Sequence, residues 1–342
     1  MRILLFVLCL LALLGCGTEK GNEPPEQAKA YFKNGLDLLQ SGDYAQAIPQ
    51  FDLAIGLDST YFEAIHNKAI CLWGLKQQKE AMELMDNALE INSRYLPSML
   101  QKYFWCRALR NDSEMVSIAE QLVLAFPDSL RFTDLRAQAY LENKQYSKAL
   151  KDFTYLIDTQ PSQVEHLINR AMVFYLIRDY IAAEIDLNLA KKLAPFNAIP
   201  PNNLALVFSA KRAWQLAFEE MQAARSIDPG APLYKNNQAY ILMNMGRFDE
   251  AKQLLQEIKE ESLQPYVNRN LAILAYLKGD IEACAQHLEA LVIKHSEMEW
   301  AQLYLGSAYL LLRQKEKACA SFEASVRNAD FWAQDSLKTY CQ

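Results

Sequence analysis

Histidine is scarce in this chain, four in 342 residues, and His66, His166, His287 and His295 show no metal-ligand spacing. His287 and His295 are eight apart, and neither belongs to an H-E-x-x-H pattern. There is no Gly-rich phosphate loop, no G-x-S-x-G and no C-x-x-C. Clustered Lys and Arg are missing as well: 35 basic residues stand against 41 acidic ones, a formal charge of −6. That balance argues against a nucleic-acid surface, since neutralising phosphates takes grouped cations, and against a membrane-surface electrostatic patch. Carboxylates are plentiful, but runs such as "KEES" at 259–262 read as solvated helix faces. The expectation is a chain that is not an enzyme and needs no cofactor or metal.

What the chain has instead is a repeat. Sliding the sequence along itself by 34 residues aligns Ala47 with Ala81 and Ala54 with Ala88, and later shifts reach Ala149, Ala183, Ala217 and Ala251. With Ala28 as position 1, nine repeats begin at Ala28, Phe62, Leu96, Leu130, Val164, Ala198, Pro232, Pro265 and Glu299, with one deletion before Pro265. Position 8 is Gly or Ala except at Tyr103, and position 20 is Ala except at Met115 and Cys284. Position 24 carries bulk at Phe51, Met85, Phe153 and Phe322; position 17 is aromatic at Tyr44, Tyr146, Tyr180, Trp214 and Phe248. Proline closes four repeats, at Pro127, Pro161, Pro195 and Pro229. Small residues two helical turns apart, such as Ala47 and Ala54, let a neighbouring helix approach closely.

This pattern resembles the tetratricopeptide repeat family, over residues 28 to about 330. The resemblance implies an all-α fold, a right-handed superhelical solenoid of about nine helix-turn-helix repeats, because one hairpin cannot bury its apolar face alone. Repeat three, with Tyr103 and Met115, departs most and is expected to pack less regularly. Pro49 is expected near the start of its helix, as tolerated strain.

The ends of the chain differ from the repeats. "MRILLFVLCLLALLGCG" has Arg2, an apolar run from Ile3 to Leu14, then Gly15-Cys16, too short a run to span a bilayer and suited to a secretory signal. It looks like a bacterial lipoprotein signal, with Leu13-Leu14-Gly15-Cys16 as the lipobox, residues 1–15 removed and lipid on Cys16; the alternative is an ordinary signal peptide. Gly17 favours the outer membrane, facing the periplasm. Residues 16–27 then read as the lipidated Cys and a flexible tether. At residues 331–342, Phe331, Trp332, Leu337 and Tyr340 suit the apolar face of a capping helix. Of the cysteines beyond Cys16, Cys71, Cys106 and Cys284 read as small buried packing residues, and Cys319 with Cys341 is the bridge to test. Pro195, Pro200 and Pro201 suggest a late helix start near Pro201 and a division into 28–195, repeats one to five, and 198–330, repeats six to nine.

Positions 2, 6, 9 and 13 share one side of each repeat's first helix, and in the resembled family that side lines a concave groove. Position 6 carries Asn67, Asn169, Asn203, Asn237 and Asn270, with Asn202 and Asn236 preceding two of them. An amide offers both a donor and an acceptor to the backbone of an extended peptide. Beside the row lie Met172, Leu206, Tyr240 and Ile273 at position 9, and Leu233, Tyr266 and Trp300 at position 2. The expected peptide-binding set is therefore Asn67, Asn169, Asn203, Asn237, Asn270, Tyr240, Tyr266 and Trp300. The expected role is a membrane-anchored adaptor that binds a segment of a cell-envelope protein. The alternatives are a packing role for the asparagines and a scaffold that self-associates as a homo-oligomer.

Overall fold

The computed structural model describes residues 23–298, 300–328 and 332–341, apart from the Trp332 side chain. The expected signal sequence, Cys16, most of the tether, and the Phe331 and Trp332 side chains lie outside the described residues. All regular structure described is helical. The nine repeats are α1 (Glu26–Gln40) and α2 (Tyr44–Leu57), α3 (Phe62–Gly74) and α4 (Gln78–Ile91), α5 (Leu96–Ala108) and α6 (Asp112–Ala125), α7 (Leu130–Glu142) and α8 (Tyr146–Thr159), α9 (Val164–Leu176) and α10 (Tyr180–Leu193), α11 (Ile199–Ala210) and α12 (Trp214–Ile227), α13 (Pro232–Asn244) and α14 (Phe248–Glu257), α15 (Gln264–Leu277) and α16 (Ile281–Lys294), and α17 (Ala301–Leu311) and α18 (Lys315–Arg327). A final helix, α19 (Trp332–Cys341), follows. The first helix of each repeat is called A and the second B.

The A-to-B turns share one backbone conformation, and the turns within each body share one hydrogen-bond pattern. Position 15 takes a left-handed conformation, with glycine at Gly42, Gly246 and Gly279, and Lys76, Arg110, Lys144, Arg178, Arg212 and Arg313 elsewhere, φ running from 55° to 87°. The next N–H reaches back to a carbonyl of the A helix, as Asp43 does to Leu38 and Arg247 to Leu242, both at 2.9 Å, which closes the helix end in a Schellman turn. At position 16, Asp43, Asn111, Asp179 and Asp280 accept a hydrogen bond from the backbone N–H three residues on, at 3.0 to 3.4 Å, and so cap the B helix. Pro49 sits deeper than expected, in the second turn of α2. It deprives the Ala45 carbonyl of its helical partner, on the exposed side of the helix, where the loss costs less than it would in the core.

Position 8 meets position 24 across the first and last hairpins. A methyl group placed on Gly35 would lie 2.6 Å from the Phe51 ring, and one on Gly306 would lie 2.7 Å from Phe322. Repeat three reverses the sizes. Tyr103 at position 8 is wholly buried and its hydroxyl donates to the Leu135 carbonyl at 3.1 Å, while Ala119 stands at position 24. The repeat expected to pack less regularly thus carries its bulk on the other helix of the hairpin.

The chain forms two compact bodies, divided between Asn143 and Lys144, within repeat four. In the first body, cations at position 7 bond the preceding repeat: Lys68 to Asp52 at 2.6 Å, and Lys102 to Asp86, with Glu114 on the same ammonium. In the second body, Arg170 holds Asp186 with two 2.8 Å bonds inside its own hairpin. The proline-rich segment is not where the bodies part. Ile199 begins α11, with Pro200 and Pro201 in its first turn, where a missing N–H breaks no helical bond. One buried cluster, from Ala171 through Leu204 to Ile241, runs past these prolines. The deletion before Pro265 is taken up by α14, ten residues long, and a short 3₁₀ turn at Glu261–Leu263.

At the end of the second body α19 packs on α18, and a disulfide joins Cys319 to Cys341. Leu337 lies against the last apolar cluster, whereas Tyr340, expected on the apolar face, is exposed.

Candidate peptide-binding face

In the second body the asparagine row becomes a set of rungs between A helices. Asn202 of α11 accepts from Asn237 Nδ2 of α13 at 3.0 Å and gives its own Nδ2 to Asn203 at 2.9 Å. One repeat later Asn236 of α13 accepts from Asn270 Nδ2 of α15 at 2.9 Å. Position 5 of one repeat thus bonds position 6 of the next, twice. Amides enclosed between packed helices need partners, because an unpaired one costs about 1 to 3 kcal/mol.

This arrangement corrects one of the expected contacts. Asn270 has 0% of its surface exposed. Its oxygen accepts from the Arg269 guanidinium at 3.2 and 3.3 Å, so its amide is not offered at the surface. Ile273, expected on the apolar shelf, is equally enclosed. Asn67, in the first body, donates to the Glu63 carbonyl of its own helix at 2.7 Å. Asn169, Asn203 and Asn237 are half-buried. After the internal bonds Asn203 retains its Nδ2, a donor, and Asn237 its Oδ1, an acceptor.

The aromatic members come together more closely than the sequence indicates. Tyr240 and Trp300 stack with ring centroids 4.8 Å apart, and Trp214 meets Tyr240 edge-on at 6.2 Å. Tyr266 is 44% exposed. Between Tyr266 and Trp300 lies Arg269, its guanidinium 5.6 and 5.4 Å from their ring centres. Trp300 holds a left-handed backbone, φ 62°, at the start of α17. A large side chain in that region is strained, and the stack on Tyr240 offsets it. Tyr304 packs beneath, edge-on to Tyr276, and burial raises its phenol pKa far above the usual value. Sequence reasoning missed Arg269 and Trp214 as parts of this group. The signal for Arg269 was its place at position 5, directly after Asn202 and Asn236 in the repeat register.

No thiol chemistry accompanies the face. Cys71, Cys106 and Cys284 are buried, and burial pushes each thiol up to about 12, so they stay protonated at neutral pH. Among the described residues no group of three His, Cys, Asp or Glu side chains is placed to hold a metal ion. No described helix is long and apolar enough to cross a membrane.

Comparison with known proteins agrees with the architecture. Tetratricopeptide repeat profiles match residues 32–95, 135–198, 234–262 and 300–329, together over half of the chain. BBSome complex member BBS4 of Bos taurus is 25% identical over 303 residues, a match covering 78% of this chain and 58% of that protein. RNA polymerase II-associated protein 3 of Xenopus tropicalis is 27% identical over 196 residues, covering 56% of this chain and 27% of its own length. The chain therefore spans little more than half of the first relative and less of the second. A tetratricopeptide repeat protein from Parabacteroides merdae ATCC 43184 superposes with a TM-score of 0.52 at 14% identity, over 83% of this chain and 99% of that one, a likeness of fold.

Proposed function

The chain belongs to the tetratricopeptide repeat family, and from that premise we propose that it is a non-enzymatic adaptor whose A-helix face holds an extended segment of another protein. The observation that carries this reading is the aromatic shelf of Tyr240, Trp300 and Tyr266 beside half-buried amides. The Asn203 donor and the Asn237 acceptor suit the alternating C=O and N–H groups of an extended backbone, and Asn169 continues the row. The rings supply broad apolar contact for side chains. Asn270 supports the face from within, as a rung.

The partner is a protein of the cell envelope, and the adaptor is held at the outer membrane, facing the periplasm, by lipid on Cys16. The sequence Leu13-Leu14-Gly15-Cys16 supports the anchor. The Cys319–Cys341 bond supports an oxidising compartment, where such bonds persist.

A photoreactive residue at Asn237 in the native host tests the reading, with Glu250, on the exposed surface of α14, as the control position. One envelope protein is expected at Asn237 and not at Glu250. Trp300→Ala is expected to weaken its binding about 10- to 30-fold, the loss typical of a central aromatic anchor. Capture of the same protein from both positions, or affinity unchanged by both Trp300→Ala and the Asn203→Ala, Asn237→Ala pair, removes the face from the reading.

A further inference from the structure

The outer row of α10 carries the bulkiest apolar set among the B helices; α2 is also apolar there, with the smaller set Ala45, Pro49, Leu53 and Leu57. Positions 18, 22, 26 and 30 of repeat five are Ile181, Ile185, Leu189 and Leu193, which are 71, 63, 42 and 45% exposed. Where Ile185 stands, α8 has Lys151, α12 has Glu219 and α16 has Gln286. The row continues beyond the helix through Phe196, 90% exposed, and Ile199, 45% exposed. Together these six side chains leave on the order of 700 Å² uncovered, near the roughly 800 Å² that each member of a stable pair buries. An exposed apolar patch of this size marks an interaction surface.

We propose that a second copy of this chain covers it, α10 packing antiparallel on α10 about a two-fold axis. The row itself is self-complementary. Side chains four apart form a ridge, and such a ridge fits the groove beside the same ridge of another helix. An axis between Ile185 and Leu189 sets each of them against the other in the copy, which is how an isologous interface closes. The polar flank agrees. Glu184 borders the first half of the row and Lys191 and Lys192 the second. Lys191 is bonded to Glu220 at 2.7 Å, so the antiparallel arrangement brings the exposed Lys192 towards the copy's Glu184, which already binds Lys211 at 2.9 Å. The net charge of −6 disfavours an anionic lipid surface as the occupant. The proposal does not rest on the A-helix face.

The test is sedimentation equilibrium of the full chain, purified from its host in mild detergent, beside Ile185→Glu and a control, Leu53→Glu, at another exposed position. The wild type and the control are expected to dimerise with concentration, and Ile185→Glu to raise the dissociation constant at least tenfold with unchanged melting. Chains carrying Ile185→Cys mixed with chains carrying Leu189→Cys are expected to form crosslinked pairs under mild oxidation, which decides the matter if the glutamate variant does not fold. A monomer at every concentration, a dimer that Ile185→Glu leaves intact, or a monomer whose binding to phosphatidylglycerol vesicles is lost in Ile185→Glu each overturns the proposal.

Discussion

His66 is one of the scarce histidines and is held as a neutral core residue. Its Nδ1 lies 2.9 Å from the Ser98 hydroxyl, its ring meets Tyr95 edge-on, and burial pulls its pKa down to about 4. The unfolded chain takes up this proton near pH 6.5, so between the two values the unfolded state binds a proton that the folded state refuses. Stability is therefore expected to be full above pH 6.5 and to fall as pH drops towards 4, by on the order of 3 kcal/mol from this group. Urea denaturation of wild type and His66→Gln at pH 7.5 and 4.5 checks it: the variant should lose much less between the two pH values, and equal losses would refute the assignment. Among asparagines, residue type was legible and role was not. An amide that pairs with a neighbouring helix and one that meets a peptide have the same spacing in the sequence, and only the burial of Asn270 separates them.

At the scale of the helical hairpin, volume matters more than identity. Gly35 and Gly306 accept a phenylalanine ring, and repeat three carries the reverse sizes, Tyr103 at position 8 and Ala119 at position 24, both buried. Tyr103→Ala is expected to cost about 3 to 5 kcal/mol, as loss of a large enclosed side chain does. Adding Ala119→Phe should recover part of that loss by returning bulk from the other helix. A double variant less stable than Tyr103→Ala in urea denaturation would show that the two positions do not share one space. The hairpins were legible because the 34-residue period repeats both helices and the turn between them. The start of α11 at Ile199 was less so, since two prolines in a first turn look, in sequence, like a later start.

Across the molecule, the last repeat shows how an end is closed. The Cys319–Cys341 bond ties α19 to α18 across a separation of 22 residues, and Leu337 covers part of the final apolar cluster. Reduction should free α19 and lower the stability of the second body by about 2 to 4 kcal/mol, the usual contribution of a native disulfide. Thermal melts of wild type with and without reductant, beside Cys341→Ser without it, measure this. Reduced wild type should match the variant, and no shift in either would mean the bond does not hold the cap.

Sequence by itself determined the helical class, the nine repeats and the small-against-large helix crossings, and singled out Cys319 with Cys341 as the bridge to test. All of these are periodic or near in the chain, and helix periodicity and repeat register carry them without knowledge of distant contacts. Tertiary structure alone decided that Asn202 and Asn236 bridge to the next repeat, that Arg269 lies between Tyr266 and Trp300, that Asn270 is enclosed and that the row on α10 is bare. Those outcomes depend on which side chains from separate helices occupy the same space, and a period in one dimension does not specify that.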